Sequence, residues 1–177
     1  QVPAADAYAL RSRYLIGAAL VREGKLDDAM AMFTQVAFAK PIAKGDKDVK
    51  EMAHLARGRV LYETDKLAES IDAYQAIPYD SKLLTTMLYE VTWTYVRRGQ
   101  LALRGHKGDN LTEMQRRERA KVEYEKALTQ LEDLKALEPG SDKAAEIDIL
   151  AGNLRLQRNE FEKAEGIFGD ILNTYKT

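Results

Sequence analysis

One pattern of small, apolar and aromatic residues occurs three times along the chain. In each copy a glycine is followed by a break about seven residues later, then an apolar residue, a small residue three positions on and an aromatic residue four beyond that. The stretches between the sparse glycines and prolines carry apolar residues at intervals of three, four and seven, and none alternates strictly between apolar and polar residues. These observations predict an all-α fold. The complete copies are Gly17, Leu26, Ala29, Phe33, Val36; Gly58, Leu67, Ser70, Tyr74, Ile77; and Gly152, Phe161, Ala164, Phe168, Ile171.

The spacing of this pattern suits pairs of antiparallel helices. Small residues let the two helices of a hairpin approach closely, and the later aromatic residue fills the space against the next hairpin. The pattern resembles the tetratricopeptide repeat family, whose units are helical hairpins of about 34 residues stacked into a solenoid. Gly58 and Thr92 stand one such unit apart. The resemblance implies one α-solenoid domain over residues 1–177, a right-handed arc of about four hairpins. The expected repeats cover residues 6–40, 48–80, 82–138 and 142–177.

The third repeat departs from the pattern. Gly99 is expected to end its first helix, and an insertion over residues 100–122 separates this helix from the packing residues of the second. Asn110 or Thr112 is expected to cap an extended second helix that ends near Leu137. The first part of that helix, TEMQRRERAK, has almost no apolar stripe. It either projects beyond the stack or is simply the solvated start of a charged helix.

Composition argues against several classes of function. The 27 Lys plus Arg balance 28 Asp plus Glu, which disfavours a protein that coats nucleic acid or an anionic membrane. There is no cysteine and there are two histidines, of which His54 is expected to be partly buried and structural and His106 to be solvated. No phosphate-binding, dinucleotide-binding, metalloprotease or serine-hydrolase motif occurs. We therefore expect no enzymatic activity, no cofactor, no metal and no small-molecule substrate.

The resemblance leaves a concave groove as the functional surface. The first helix of each hairpin would line it with residues three before, one after, and four or five after each anchor, when Gly17, Gly58, Thr92 and Gly152 are taken as equivalent. These positions hold aromatic residues and arginines, which are enriched at binding hot spots. For Tyr89 and Trp93 the alternative is that they pack between helices as core. The predicted partner-binding residues are Tyr14, Arg59, Tyr62, Tyr89, Trp93, Arg97, Asn153 and Gln157.

These features predict a scaffold that binds a peptide segment or helix of another protein. The carboxylate clamp of chaperone-binding family members is not matched, because Tyr14 and Ala18 replace its first residues and Glu90 has the wrong charge in the other frame. The segment AIPYDSKLLTTMLYEVTWTYVRRGQ is similar to bacterial tetratricopeptide proteins of the cell envelope. That similarity implies a periplasmic or envelope-associated place in an assembly, transport or motility complex, with the cytoplasm as the alternative. The longest uncharged run, Ala29–Ala39, is far shorter than the ~20 apolar residues of a membrane span.

Two other functions remain open. A self-assembly module would use the helix expected at 160–175, whose residues Ile167, Phe168, Ile171 and Leu172 need cover. A nucleic-acid binder would use the arginine-rich run Arg116–Arg119, although the interspersed acidic residues argue against it.

Overall fold

The structure, a computed structural model, describes residues 8–106, 108–140 and 143–174. These ranges contain eight α-helices and no strand, which confirms the all-α prediction. The chain divides into two compact units, Gln1–Met87 and Leu88–Thr177. Within the described ranges, no helix has both the length and the apolar character needed to cross a membrane.

The first unit holds two helical hairpins that pack against each other. Its helices are α1 Ala9–Arg22, α2 Leu26–Ala37, α3 Asp46–Glu63 and α4 Leu67–Gln75. Helix α1 packs on α2, α3 packs on α4, and α2 also packs on α3. Phe33 and Val36 of α2 are 2% and 0% exposed, and they belong to two apolar clusters that join the first three helices.

The second unit is built from the next four helices. These are α5 Leu84–Arg104, α6 Glu113–Leu137, α7 Ala144–Gln157 and α8 Phe161–Thr174. Helix α5 starts in the last residues of the first unit and continues into the second. Helix α6 packs on α7, and α7 packs on α8. Leu131 and Leu134 of α6 and Ile147 of α7 are buried in this part of the chain.

Three of the helix pairs share one tight turn. Gly24, Asp65 and Asn159 have φ angles of +73°, +59° and +62°, and each lies seven residues after the glycine of its pattern. Left-handed backbone favours glycine, asparagine and aspartate. The residue that follows donates its N–H to a carbonyl five residues earlier, as Lys25 does to Leu20 at 2.9 Å. The break predicted about seven residues after the glycine is therefore confirmed.

An aromatic ring lies directly on the helix backbone at each pattern glycine. A Cβ atom added at the glycine would come within 2.7 Å of the ring in all three complete copies: Phe33 on Gly17, Tyr74 on Gly58 and Phe168 on Gly152. Carbon atoms in good contact are about 3.5–4.0 Å apart, so only glycine leaves room for the ring. The small residue of the pattern is required by this contact.

Gly99 makes the same contact in the third helix pair, and this corrects the sequence register. A Cβ atom at Gly99 would overlap the ring of Tyr124. The expectation that Gly99 ends its helix is wrong, because α5 continues to Arg104. Thr92, which the sequence suggested as the anchor, is fully buried inside α5 and donates its hydroxyl to the carbonyl of Leu88 at 2.7 Å. With Gly99 as the anchor, the interval from Gly58 to Gly99 equals the interval from Gly17 to Gly58.

Local signals fix the ends of α6. The Thr112 hydroxyl accepts a hydrogen bond from the Gln115 N–H at 3.2 Å, and the Gln115 side chain accepts one from the Thr112 N–H at 2.9 Å. This reciprocal pair is a capping box. Of the two predicted caps, the structure therefore selects Thr112 rather than Asn110, and it confirms the predicted end at Leu137.

The extra length of α6 lies mostly at its C-terminal end. Measured from the ring that lies on the glycine, which is Tyr124 in α6 and Phe33 in α2, helix α6 starts only about one turn earlier than α2. At the other end α6 continues from Tyr124 as far as Leu137, whereas α2 stops at Ala37, about one turn past its ring. The projection predicted for the charged start is therefore limited to about one turn.

Candidate functional site

A cleft of about 430 Å³ opens in the second unit between α5 and α7. Tyr124 of α6 contributes to its floor, where it lies beside Val96 and Leu154. These three side chains are 2%, 6% and 3% exposed. The floor is therefore packed and apolar. The complete lining consists of Trp93, Val96, Gln100, Leu103, Arg104, Tyr124, Leu150, Asn153, Leu154 and Gln157.

The rim of this α5–α7 cleft carries exposed polar groups. Gln100 lies on α5, and Asn153 and Gln157 lie one helical turn apart on α7. Within the described residues, these three amides make no hydrogen bond to the rest of the chain, and Arg104 makes no ion pair. Each amide offers two N–H donors and one carbonyl acceptor. The cleft thus combines an apolar floor with hydrogen-bonding groups that are available to a ligand.

A second depression of about 440 Å³ adjoins the cleft, because both are lined by Leu103 and Gln157. It brings together three cations and one carboxylate from the start of α6, and we call it the basic depression. Two of its cations already have partners on their own helix, Arg117 with Glu113 at 2.6 Å and Lys121 with Glu118 at 2.8 Å. Its lining is Leu103, Glu113, Arg116, Arg117, Ala120, Lys121, Leu156, Gln157 and Asn159.

Arg116, the third cation of the basic depression, is tied to the preceding loop. Its guanidinium donates to Asp109 Oδ1 at 2.5 Å, and Asp109 Oδ2 accepts from the His106 N–H at 3.0 Å. The hydrogen bond from Arg116, followed by that of the His106 backbone, holds the pKa of Asp109 at about 2. The loop is therefore closed on the start of α6 by a charged hydrogen bond.

The turn between α7 and α8 carries a second charged cluster. Glu160 accepts from Arg155 and from Arg158, each at 2.7 Å. Burial raises the pKa of Glu160, but the hydrogen bonds from Arg158 and Arg155 outweigh it and hold the pKa at about 2. Arg158 also donates to the carbonyl of Lys121 at 2.8 Å. This contact fixes the end of α7 against α6, on the side where the basic depression lies.

Tyr89 lies beside the cleft in a fixed position. Its hydroxyl donates to Glu146 Oε1 at 2.5 Å, and the ammonium of Lys143 lies 4.6 Å from the centre of its ring. The hydrogen bond with Glu146 raises the pKa of Tyr89. Its ring meets Trp93 edge-on, with the ring centres 6.4 Å apart. Tyr89 therefore supports Trp93, whose side chain is 37% exposed and lines the cleft.

Of the predicted site residues in the second unit, the structure brings Trp93, Asn153 and Gln157 together in the cleft. Tyr89 contacts Trp93 but is not part of the lining. Arg97 is half-buried, interacts within the chain and does not line the cleft. In this unit the predicted residues thus include one of the five α5 residues that line the cleft and two of the four on α7.

The predicted site residues of the first unit have different surroundings. Tyr14 is half-buried, and its ring centre lies 5.6 Å from that of Phe33. It also packs against both apolar clusters of that unit. Arg59 is exposed and Tyr62 is half-buried, and each has an interaction within the chain. Tyr14 therefore contributes to the hairpin core as well as to the surface.

Sequence reasoning missed Gln100, Leu103 and Arg104 because it anchored the third repeat at Thr92. The same positional rule applied to Gly99 gives these three residues and Val96, and all four line the cleft. The two anchors are seven residues apart, only about 20° short of two full helical turns. The shift in register therefore moved the predicted positions along α5 and hardly around it. For this reason Trp93 still lies on the face that lines the cleft.

His54 is half-buried beside two neighbours, as the sequence predicted. Its ring meets Phe38 edge-on at 5.6 Å, and the Arg57 guanidinium lies 4.8 Å from the centre of the Phe38 ring. Burial, aided by Arg57, lowers the pKa of His54. Among the described residues, no group of three or more histidines and carboxylates is placed to hold a metal ion.

Comparison with known proteins adds no relative: no protein-family model matches the chain, and no curated protein matches it.

Proposed function

We propose that this chain is a protein-interaction module of the tetratricopeptide type that binds an extended segment of a partner protein in the α5–α7 cleft. The observation that carries the proposal is the set of amides from Gln100, Asn153 and Gln157, which surround a buried apolar floor and have no partner within the described chain. The spacing of small and aromatic residues supports the same function, since that repeat type is a common protein-binding scaffold.

The rim amides favour an extended segment over a helix. In a bound helix the backbone N–H and C=O groups already pair with each other, so they do not need the cleft. An extended segment leaves these groups free, and an amide side chain both donates and accepts hydrogen bonds. Asn153 and Gln157 lie about 6 Å apart along α7, which is close to the spacing of alternate residues in an extended segment, so the two amides can engage alternate residues of it.

The apolar floor and Arg104 indicate the side chains of the segment. Trp93 is 37% exposed and Leu103 36% exposed, so apolar side chains of the segment placed against them would cover surface that is now in water. Arg104 has no ion pair within the described residues, and it lies at the end of the cleft that adjoins the basic depression. The proposed ligand therefore has an apolar anchor with an acidic residue beside it.

Selection from a displayed library of random peptides, followed by measured dissociation constants, tests this proposal. Trp93→Ala should weaken binding of the selected peptides by roughly 30-fold, the effect of about 2 kcal/mol at a hot spot. The double variant Asn153→Ala/Gln157→Ala should weaken it too, whereas Gln35→Ala, an exposed amide in the other unit, should leave it unchanged. Equal binding by all these variants, or selection of no peptide at all, would refute the cleft as the binding site.

The charge pairing favours a protein partner over nucleic acid. Arg116 and Arg117 already pair with Asp109 and Glu113, and phosphate contacts would have to compete with these carboxylates. A nucleic-acid site should show binding that falls steeply with salt. Absence of binding to single- and double-stranded oligonucleotides at low salt would exclude that function.

We also propose that the protein acts in the bacterial envelope, as part of an assembly, transport or motility complex. The similarity of the segment around Leu88–Trp93 to envelope tetratricopeptide proteins supports this location. Fractionation of cells that naturally contain the protein tests this location. Recovery with the cytoplasmic fraction alone would refute the envelope location without affecting the proposed peptide site.

A further inference from the structure

The first unit shows how the second helix of one hairpin joins the first helix of the next. Helix α2 packs on α3 through two apolar clusters. Phe33 is 2% exposed and Val36 0% exposed on α2, and Ala53 is 0% exposed on α3. The positions that form this joint are Ala29, Phe33, Val36 and Ala37 on α2, and Ala53, Ala56 and Val60 on α3.

Helix α8 presents the α2 side of this joint, and no helix among the described residues covers it. When Gly152 is aligned with Gly17, the α8 equivalents of the four α2 positions are Ala164, Phe168, Ile171 and Leu172. Ala164 is buried under its own hairpin, but Phe168 and Ile171 are only half-buried. Leu172 is 63% exposed, whereas its equivalent Ala37 is 2% exposed.

Helix α1 presents the α3 side of the same joint. When Gly17 is aligned with Gly58, the α1 equivalents of the three α3 positions are Ser12, Leu15 and Ala19, which form one stripe and are all exposed. Leu15 is 57% exposed, whereas its equivalent Ala56 is 9% exposed. Tyr8, the equivalent of the partly buried Val49, extends the stripe and is 64% exposed.

The two faces also carry opposite charge. Helix α1 has three arginines and no carboxylate, whereas α8 has three carboxylates and one lysine. Arg11 and Arg22 flank the α1 stripe, and Glu165 flanks the α8 stripe, by helical geometry. Within the described residues, none of these three side chains has an ion pair. Charge complementarity thus accompanies the apolar match.

We propose that two copies of this chain associate head to tail, with α1 of one copy seated on α8 of the next in the manner in which α3 seats on α2. The two faces are different surfaces, so the contact is heterologous and leaves one free face of each kind on every pair. Further copies can then add. The α5–α7 cleft takes no part in this contact, so failure of this proposal leaves the proposed peptide site intact, and the reverse also holds.

Sedimentation of the 177-residue chain between roughly 1 μM and 1 mM tests the proposal. The wild-type average mass should rise with concentration. Leu15→Glu removes one face and Leu172→Glu the other, so each variant alone should remain a monomer. An equimolar mixture of the two should form one-to-one dimers and stop there, because each dimer uses the intact face of each variant.

Matched controls place a glutamate on the opposite sides of the same helices. Val21→Glu on α1 and Asn173→Glu on α8 should associate like the wild type. All the altered residues are exposed, so circular dichroism should show unchanged helix content and melting for every variant. A wild-type chain that is monomeric at every concentration would overturn the proposal. So would self-association by either single variant, or a mixture that stays monomeric.

Discussion

The contact between Gly99 and Tyr124 makes a sharp prediction about three glycines of the second unit. Gly99, Gly152 and Gly166 all lie inside helices. Replacing a glycine inside a helix by alanine normally stabilises a protein by about 0.5–1 kcal/mol, because glycine loses more backbone entropy on folding. If a Gly→Ala variant is less stable than this gain predicts, the difference measures the cost of the contacts that the added methyl group makes. The three sites differ mainly in that respect.

At Gly99 the methyl group meets a ring that has no room to withdraw. It would lie 2.7 Å from Cδ1 of Tyr124, about 1 Å closer than a normal carbon contact, and Tyr124 is only 2% exposed. Overpacking of this kind costs about 1–3 kcal/mol. After the helix gain is subtracted, Gly99→Ala should lower the free energy of unfolding by up to about 2.5 kcal/mol. That corresponds to a melting temperature lower by as much as roughly 10 °C.

The other two sites calibrate this result. The ring opposite Gly152 belongs to Phe168, which is half-buried and therefore has room to move, so Gly152→Ala should be less harmful. At Gly166 the methyl group meets nothing within 4 Å, so Gly166→Ala should raise stability by about 0.5–1 kcal/mol. Urea unfolding followed by circular dichroism and by the fluorescence of Trp93 gives the order. The explanation fails if Gly99→Ala is as stable as Gly166→Ala. It also fails if Gly99→Ala is equally destabilising in a Tyr124→Leu background, where the ring is absent.

Two further predictions concern the start of α6 and the acid range. Thr112→Ala should lower the free energy of unfolding by about 1 kcal/mol because it removes the capping box. Thr112→Ser keeps a hydroxyl at this position and should retain most of the wild-type stability. The urea midpoints of the three proteins check this. The folded pKa values of Asp109 and Glu160 lie at about 2, below the values of about 4 in an unfolded chain, so their contribution to stability is present above pH 4 and is lost as the pH falls toward 2. Asp109→Asn should make the urea midpoint less dependent on pH between roughly 4 and 2, and an unchanged acid dependence would contradict the assigned pairing with Arg116.

Local signals in the sequence were sufficient wherever a short segment decides the structure. Thr112 and Gln115 stand three residues apart and cap α6 through their own backbone, so the start of that helix was predictable. The end near Leu137 and the break after Gly17 are local in the same sense. The all-α class follows from the period of the apolar residues, which extends over many turns.

The register of the third helix pair depended on a contact between distant residues. In sequence, Arg98-Gly99-Gln100 looks like a helix end, because glycine commonly follows the last turn of a helix. Only the ring of Tyr124, which lies on the next helix, shows that Gly99 is an interior packing position. In the other pairs the ring follows its glycine at a shorter and constant interval, as Phe33 follows Gly17. Because the interval from Gly99 to Tyr124 is longer, the pairing of this glycine with this ring was not visible in the sequence. Gln100, Leu103 and Arg104 were therefore not predicted to line the cleft.

The longer interval between Gly99 and Tyr124 also separates the start of the basic depression from the apolar floor of the α5–α7 cleft. Each first helix, α5 included, ends at the same distance past its glycine, so the extra residues lie entirely in the connection and in the added first turn of α6. Glu113 and Arg116 of the basic depression belong to that added turn, whereas the floor of the α5–α7 cleft lies outside it. Shortening the connection to the tight turn of the other pairs would leave Tyr124 on Gly99 and keep the apolar cleft. In design terms, the connection and the Glu113–Arg116 turn form a removable module, so their length and sequence can change while the packing register of the helices stays constant, and Arg117 and Lys121 remain on the surface.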